Sequence, residues 1–172
     1  AHVQDKGSGI HQVIAIREGV RRRGFPWVNL VLLLLTVLST LFVGAYYQSG
    51  RAPTDLGSLL QGAPFSLSLM SILVCHEAGH FIASRRHGLD VTLPYFIPFP
   101  TIIGTLGAVI LVRSPFRSRR ELLDMGVSGP LAGAVVAVIV TLIGLKLSHF
   151  VPETDLKSGL FLGNSLLFGL LA

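Results

Sequence analysis

His76, Glu77 and His80 stand in the order His-Glu-x-x-His. On a helix, positions i and i+4 share one face, with their side-chain roots about 6 Å apart. Two imidazoles placed this way can occupy adjacent corners of one zinc tetrahedron. Glu77, beside the first histidine, can then take a proton from a water whose pKa the metal has lowered toward about 7. It can hand that proton on to a leaving amine. The chemistry this spacing suits is amide hydrolysis, with His76 and His80 as metal ligands, Glu77 as general base and Zn2+ as cofactor. Five residues can also match a pattern by chance, and such side chains can merely hydrogen-bond neighbouring helices. Location weighs against that blander reading. The motif lies in an apolar run over roughly 65–84, closed by Arg85 and Arg86. An ionised group at the centre of a bilayer costs about 3 kcal/mol or more, so three titratable residues in one turn of a spanning helix need a reason.

The elements that must hold this turn are apolar throughout. Of 172 residues, 51% are apolar and 13% charged, the latter about half the usual share of about 25% in soluble domains. That excess suits lipid as a solvent. The net charge is +5, and the arginines cluster at 21–23, at 85–86 and at 113–120. Each cluster abuts an apolar run, with Phe116 as the one aromatic set among the arginines, which points to topology markers under the positive-inside rule and not to nucleic acid. Cys75 is the single cysteine, so no internal disulfide can form.

Residues 1–24 are polar, lack the pattern of a secretory signal and are expected to form a cytosolic tail, with residues 25–172 forming a membrane core. Residues 27–47 carry no charge, and 21 of them as a helix measure about 31 Å, enough to span. Pro26 suits the helix start, and Trp27 at one end with Tyr46 and Tyr47 at the other suit an aromatic belt. Residues 48–64 read as an irregular loop. The zinc-motif run is the second span. Residues 88–112 are apolar but broken by Gly88, Pro94, Pro98, Pro100, Gly104 and Gly107, so a re-entrant loop or short hairpin is expected there, with a strand within Gly107–Val112. Residues 122–148 form the third span, 150–158 a polar turn, and a last apolar stretch begins near Leu160 and is still running at Ala172. The fold class is thus an all-α polytopic membrane protein of about four spanning helices with the re-entrant segment after the zinc helix. The arginine clusters put the N-terminus and the motif end of the second span in the cytosol. His80 lies six residues, about 9 Å, from Arg86, so the site sits nearer that face than the membrane centre.

Four blocks in order, HEAGHFIASRRHG at 76–88, PYFIPFP at 94–100, IGTLGAVI at 103–110 and SGPLAG at 128–133, make the chain resemble the site-2 protease family of intramembrane zinc metalloproteases. The match covers about residues 65–172. The resemblance implies a helical core with zinc inside the bilayer, and cleavage of peptide bonds in or near a transmembrane segment of a membrane-embedded protein substrate. It also implies that the segment around Gly104, Thr105, Leu106 and Gly107 lies against the active site and holds an unwound substrate as an added strand. Strand addition would supply the extended conformation that an intact substrate helix lacks. The family's third ligand is an aspartate in an Asp-Gly pair on a later span. No such pair occurs here, and Asp90, Asp124 and Asp155 sit at boundaries or in a turn. The open apolar run at 160–172 leads to the expectation that the chain is incomplete and that this aspartate lies beyond residue 172.

Other residues carry weaker expectations. Cys75 reads as core filler, and His87 and His149 as solvated or interfacial groups at helix ends. Gly129 and Gly133 read as a small-residue face packed on the zinc helix, and Asn164 as a helix cap. A different membrane-associated zinc protease, with a glutamate on a following helix as third ligand, is disfavoured, since Glu121 and Glu153 lie outside the spans. The remaining alternatives are a catalytically inactive membrane scaffold of the same fold and, with less support, a metal transporter, whose spans should carry more polar residues. The compartment expected is a bacterial inner membrane, or an organelle of bacterial descent.

Overall fold

A run of 23 residues without a charge has one low-energy form in lipid, because only a helix satisfies every backbone polar group within the segment. The computed structural model, which describes residues 2–4, 12–14 and 26–148, shows that helix as α1 (Trp27–Ser49). It ends where Gly50 turns left-handed and returns its N–H to Tyr46 O at 2.8 Å. Two short strands precede it, β1 (His2–Gln4) and β2 (Gln12–Ile14), paired antiparallel within the segment read above as a cytosolic tail. The loop after α1 contains a five-residue helix, α2 (Leu56–Leu60), started by Asp55. Sequence reasoning missed α2 because the segment is dominated by Gly and Pro.

The zinc-motif run forms α3 (Ala63–Arg86), with Pro64 in its first turn and Arg85 and Arg86 in its last, where cations complement the helix dipole. The third expected span is α4 (Arg119–Leu147). Ser118 caps it by accepting the Glu121 N–H, and Glu121 Oε2 in turn accepts the Arg117 N–H at 2.8 Å. At 29 residues, α4 measures about 44 Å against a hydrocarbon layer of about 30 Å. Its charged first turns, with Arg119, Arg120, Glu121 and Asp124, can therefore lie beyond the apolar layer. All three long helices are long and apolar enough to cross a membrane. The fourth apolar stretch from Leu160, with His149, Asp155 and Asn164, lies outside the described residues.

The broken segment between α3 and α4 is a hairpin, so the chain is mostly helical with a small sheet. Strands β3 (Tyr95–Pro98) and β4 (Thr105–Val109) pair antiparallel, Tyr95 opposite Val109 and Phe96 opposite Ala108, with an irregularity between Phe96 and Pro98. The stem continues irregularly to a Val91–Val112 bridge and an Arg113 N–H bond to Asp90 O at 2.8 Å. The strand expected within 107–112 thus begins two residues earlier, and only the isolated bridge represents its end.

Small residues set the packing. Gly44 and Gly62 meet so closely that a Cβ on Gly44 would stand 2.7 Å from Gly62 O. Beside them, Thr40 Oγ1 and Ser66 Oγ share a hydrogen bond of 2.7 Å, both buried, which ties α1 to α3. The hairpin lies along α1 on one side, with Phe96, Val91 and Leu89 buried beneath it. Most other large apolar side chains face outward, as a bilayer solvent permits.

Candidate metal centre

A helix places residues 76 and 80 one turn apart on one face, and α3 does so here. The two rings converge. His76 Nε2 and His80 Nε2 stand 3.1 Å apart, with ring centroids at 4.8 Å and planes inclined by 73°. Adjacent corners of a tetrahedron with zinc–nitrogen bonds of about 2.0–2.1 Å are about 3.3–3.4 Å apart. The pair therefore already has nearly the spacing that one zinc ion imposes.

The second nitrogen of His80 fixes its tautomer. Nδ1 lies 2.7 Å from the Met125 backbone carbonyl on α4. A carbonyl can only accept, so Nδ1 carries the proton and the neutral ring presents a lone pair at Nε2, toward His76. Metal-binding histidines commonly hold their outer nitrogen this way. No sequence pattern announces this partner, because a backbone carbonyl has no residue signature.

Glu77 is buried, at 5% exposure, on the same turn. Among the described residues no hydrogen bond to its carboxylate is formed by a neighbouring side chain.

The small residues of α4 make the approach possible. Gly79 lies against Ser128 and Gly129, where a Cβ would meet Ser128 O at 2.5 Å. A Cβ on Gly129 would overlap the His80 ring, and one on Gly133 would stand 3.2 Å from His76 Cβ and Nδ1. Both glycines are buried within α4. The small-residue face expected from SGPLAG is thus present, packed on the two histidines themselves.

Other expected site residues fall as follows. Thr105, Leu106 and Gly107 are in β4, and Gly104 immediately precedes it. The strand packs along α3 and α1. Thr105 is buried and Leu106 exposed. Gly104 (φ 79°) and Gly107 (φ 100°) adopt backbone conformations that favour glycine. Among the described residues no group of three metal-ligating side chains occurs. Asp124 is held elsewhere: its Oδ2 pairs with His87 Nε2 at 3.0 Å and with Arg120 Nε at 3.8 Å. His87, expected to be solvated, is instead bonded across to α4. That pairing joins residues 37 apart in sequence and so leaves no local pattern to read. Cys75 is a free, half-buried thiol.

Comparison with known proteins adds a second line of observation. Residues 64–166 match the sequence profile described as Peptidase family M50. A chloroplastic protein of Arabidopsis thaliana named probable zinc metalloprotease EGY1 is 29% identical over 160 residues, covering 82% of this chain and 28% of its own length. Its namesake in Oryza sativa subsp. japonica is 32% identical over 169 residues, 84% of this chain and 29% of its own. Arabidopsis probable zinc metalloprotease EGY2, also chloroplastic, is 35% identical over 101 residues, 59% of this chain and 17% of its own. The chain therefore spans less than a third of the length of these relatives. No solved structure matches it.

Proposed function

The chain belongs to peptidase family M50, and from that premise we propose that it carries the zinc-binding core of an intramembrane metalloendopeptidase of the site-2 type. The observation that carries the reading is the convergence of His76 Nε2 and His80 Nε2 at 3.1 Å on an apolar helix, beside a buried Glu77. In this proposal His76 and His80 are zinc ligands, and the remaining coordination positions come from outside the described residues. The relatives' names agree with zinc as the metal.

When bound, zinc supplies Lewis acidity that activates water and polarises the scissile carbonyl. The chain's own groups do the rest. The Met125 carbonyl holds His80 in the tautomer that offers Nε2. Glu77 takes the proton of the attacking water and delivers it to the leaving amide nitrogen. Gly129 and Gly133 bring α4 close enough to shield both rings from lipid. Water reaches the site from the arginine-rich end, where a cavity of about 460 Å³ opens between α3 and α4, lined by Gly79, Arg86, His87, Asp124 and Ser128 among others.

The substrate we propose is a membrane-embedded protein segment, and its unwound part adds to the free edge of β4 at Thr105–Gly107. The two-stranded sheet leaves that edge unpaired by any strand among the described residues, and strand addition would satisfy it. The arginine clusters support a cytosolic N-terminus. The chloroplastic relatives support the second compartment expected, an organelle of bacterial descent, where the arginine-rich face is the one equivalent to the cytosol.

The test is Glu77→Gln in the full protein. The expected result is unchanged zinc content with cleavage of a membrane-embedded reporter lowered by at least about a hundredfold, the lower range for loss of a general base. Undiminished cleavage would remove Glu77 from the mechanism.

A further inference from the structure

The hairpin is tied to α1 at both ends of that helix. Near the start of α1, the Asn29 side-chain amide donates to two adjacent carbonyls, Leu93 O at 3.0 Å and Pro94 O at 2.9 Å. Near its end, the Tyr47 hydroxyl donates to Ile102 O at 2.8 Å, at the hairpin tip. The two anchors are 18 residues apart on the helix, or about 27 Å. The limb between Leu93 and Ile102 is nine residues long, about 30 Å when extended. The limb follows α1 through β3 and then turns at Phe99–Thr101, where the Thr101 N–H donates to Phe99 O at 2.7 Å. Between the anchors, Gly104 sits against the α1 backbone, where a Cβ would stand 2.9 Å from Ser39 O and Thr40 Cα.

Each anchor uses a polar side chain at the margin of an otherwise apolar helix, and each acceptor is a carbonyl the β3–β4 ladder does not use. At the membrane margin water is the competing donor, so each bond holds the hairpin by a modest net margin. The anchors therefore fix how far the hairpin penetrates, and so the height of β4 relative to the histidines on α3.

We propose that α1 acts as a ruler for the cleavage position, with Asn29 and Tyr47 as positioning residues that set the register of β4. The inference rests on the reading of β4 as the strand that receives substrate. An added strand keeps its side chains on the same faces only when it shifts by two residues. A hairpin released at one end consequently presents the substrate at alternative heights, and the cut moves in steps of two residues.

The experiment uses the full protein in lipid vesicles with a single-span reporter that the parent protein cuts, and compares Asn29→Leu and Tyr47→Phe. Tyr47→Phe removes only a hydroxyl and keeps the ring's edge contacts with Phe65 and Tyr46, so folding is not at issue. A spin label on Ile102→Cys, in a Cys75→Ala background, reports hairpin order directly, since the Ile102 side chain points outward at 74% exposure. A photo-crosslinker at Leu106 reports whether substrate lies on β4. The expected result is a label that gains mobility in both variants, unchanged zinc content, and cleavage products spread to sites two residues from the main one. Cleavage at the main site should fall about three- to tenfold, the equivalent of one net hydrogen bond. An unchanged label overturns the anchoring itself. A mobile label with substrate still crosslinked at Leu106 and an unchanged cut overturns the ruler while leaving the β4 reading intact. Absence of crosslinking at Leu106 in the parent overturns the β4 reading and the ruler with it.

Discussion

At the scale of single residues, the site is defined as much by what is missing from α4 as by what α3 carries. Gly129 leaves room for the His80 ring, and a methyl there would overlap it. Gly129→Ala should therefore displace the ring, break its bond to Met125 O and lower zinc content measurably, at an overpacking cost of about 1–3 kcal/mol in stability. Gly133→Ala places its methyl at 3.2 Å from His76, a contact that a slight ring shift relieves, so its effect on zinc content should be smaller. Equal effects from the two, measured by metal analysis of the purified proteins, would contradict the packing described. The juxtaposition of His76, Glu77 and His80 was legible in the sequence because helical periodicity alone decides that they share a turn. The Met125 carbonyl and the bond between His87 and Asp124 were not, since they depend on which turn of α4 meets which turn of α3.

At the scale of elements, α1, α3 and α4 were readable from apolar run lengths and the arginines that bound them, to within three residues at each end. Their mutual register was not, because it is written in small residues and hydroxyls that also occur freely in loops. The Thr40–Ser66 bond is the clearest case: two side chains 26 residues apart, both buried between α1 and α3. Thr40→Val should destabilise the α1–α3 pair by about 0.6 kcal/mol, and by no more than about 1.7 kcal/mol, the range found for hydrogen bonds between membrane helices. Ser66→Ala should do the same, and the double variant should lose less than the sum, since no unpaired hydroxyl is left behind. A double-mutant cycle read by denaturant unfolding in detergent checks this, and strict additivity would mean the bond contributes nothing. The hairpin was expected from its broken backbone, but its two anchors on α1 were hidden, because one asparagine near a helix start and one tyrosine in an aromatic belt each have a commoner explanation.

At the scale of the whole molecule, the helices, the hairpin and the proposed metal site hold together by different forces, and these should separate on metal removal. Among the described residues the contacts joining α1, α3 and α4 include glycine approaches, the Thr40–Ser66 bond, the Tyr47–Phe65 ring contact, the His80–Met125 bond and the His87–Asp124 pair. None of them passes through the space between His76 Nε2 and His80 Nε2. Small zinc domains are unfolded without metal because binding free energy is their folding free energy, but three long apolar helices in lipid have their backbone bonds satisfied regardless. Chelation should therefore abolish cleavage of a membrane reporter while leaving helical content by circular dichroism unchanged, and added zinc should restore activity without a refolding lag. The His80 ring should stay held by Met125 O throughout, so the apo site remains close to its loaded shape and rebinding is fast. A loss of helix on chelation, or recovery as slow as refolding, would mean that the metal organises the bundle instead of occupying a site the bundle has already built.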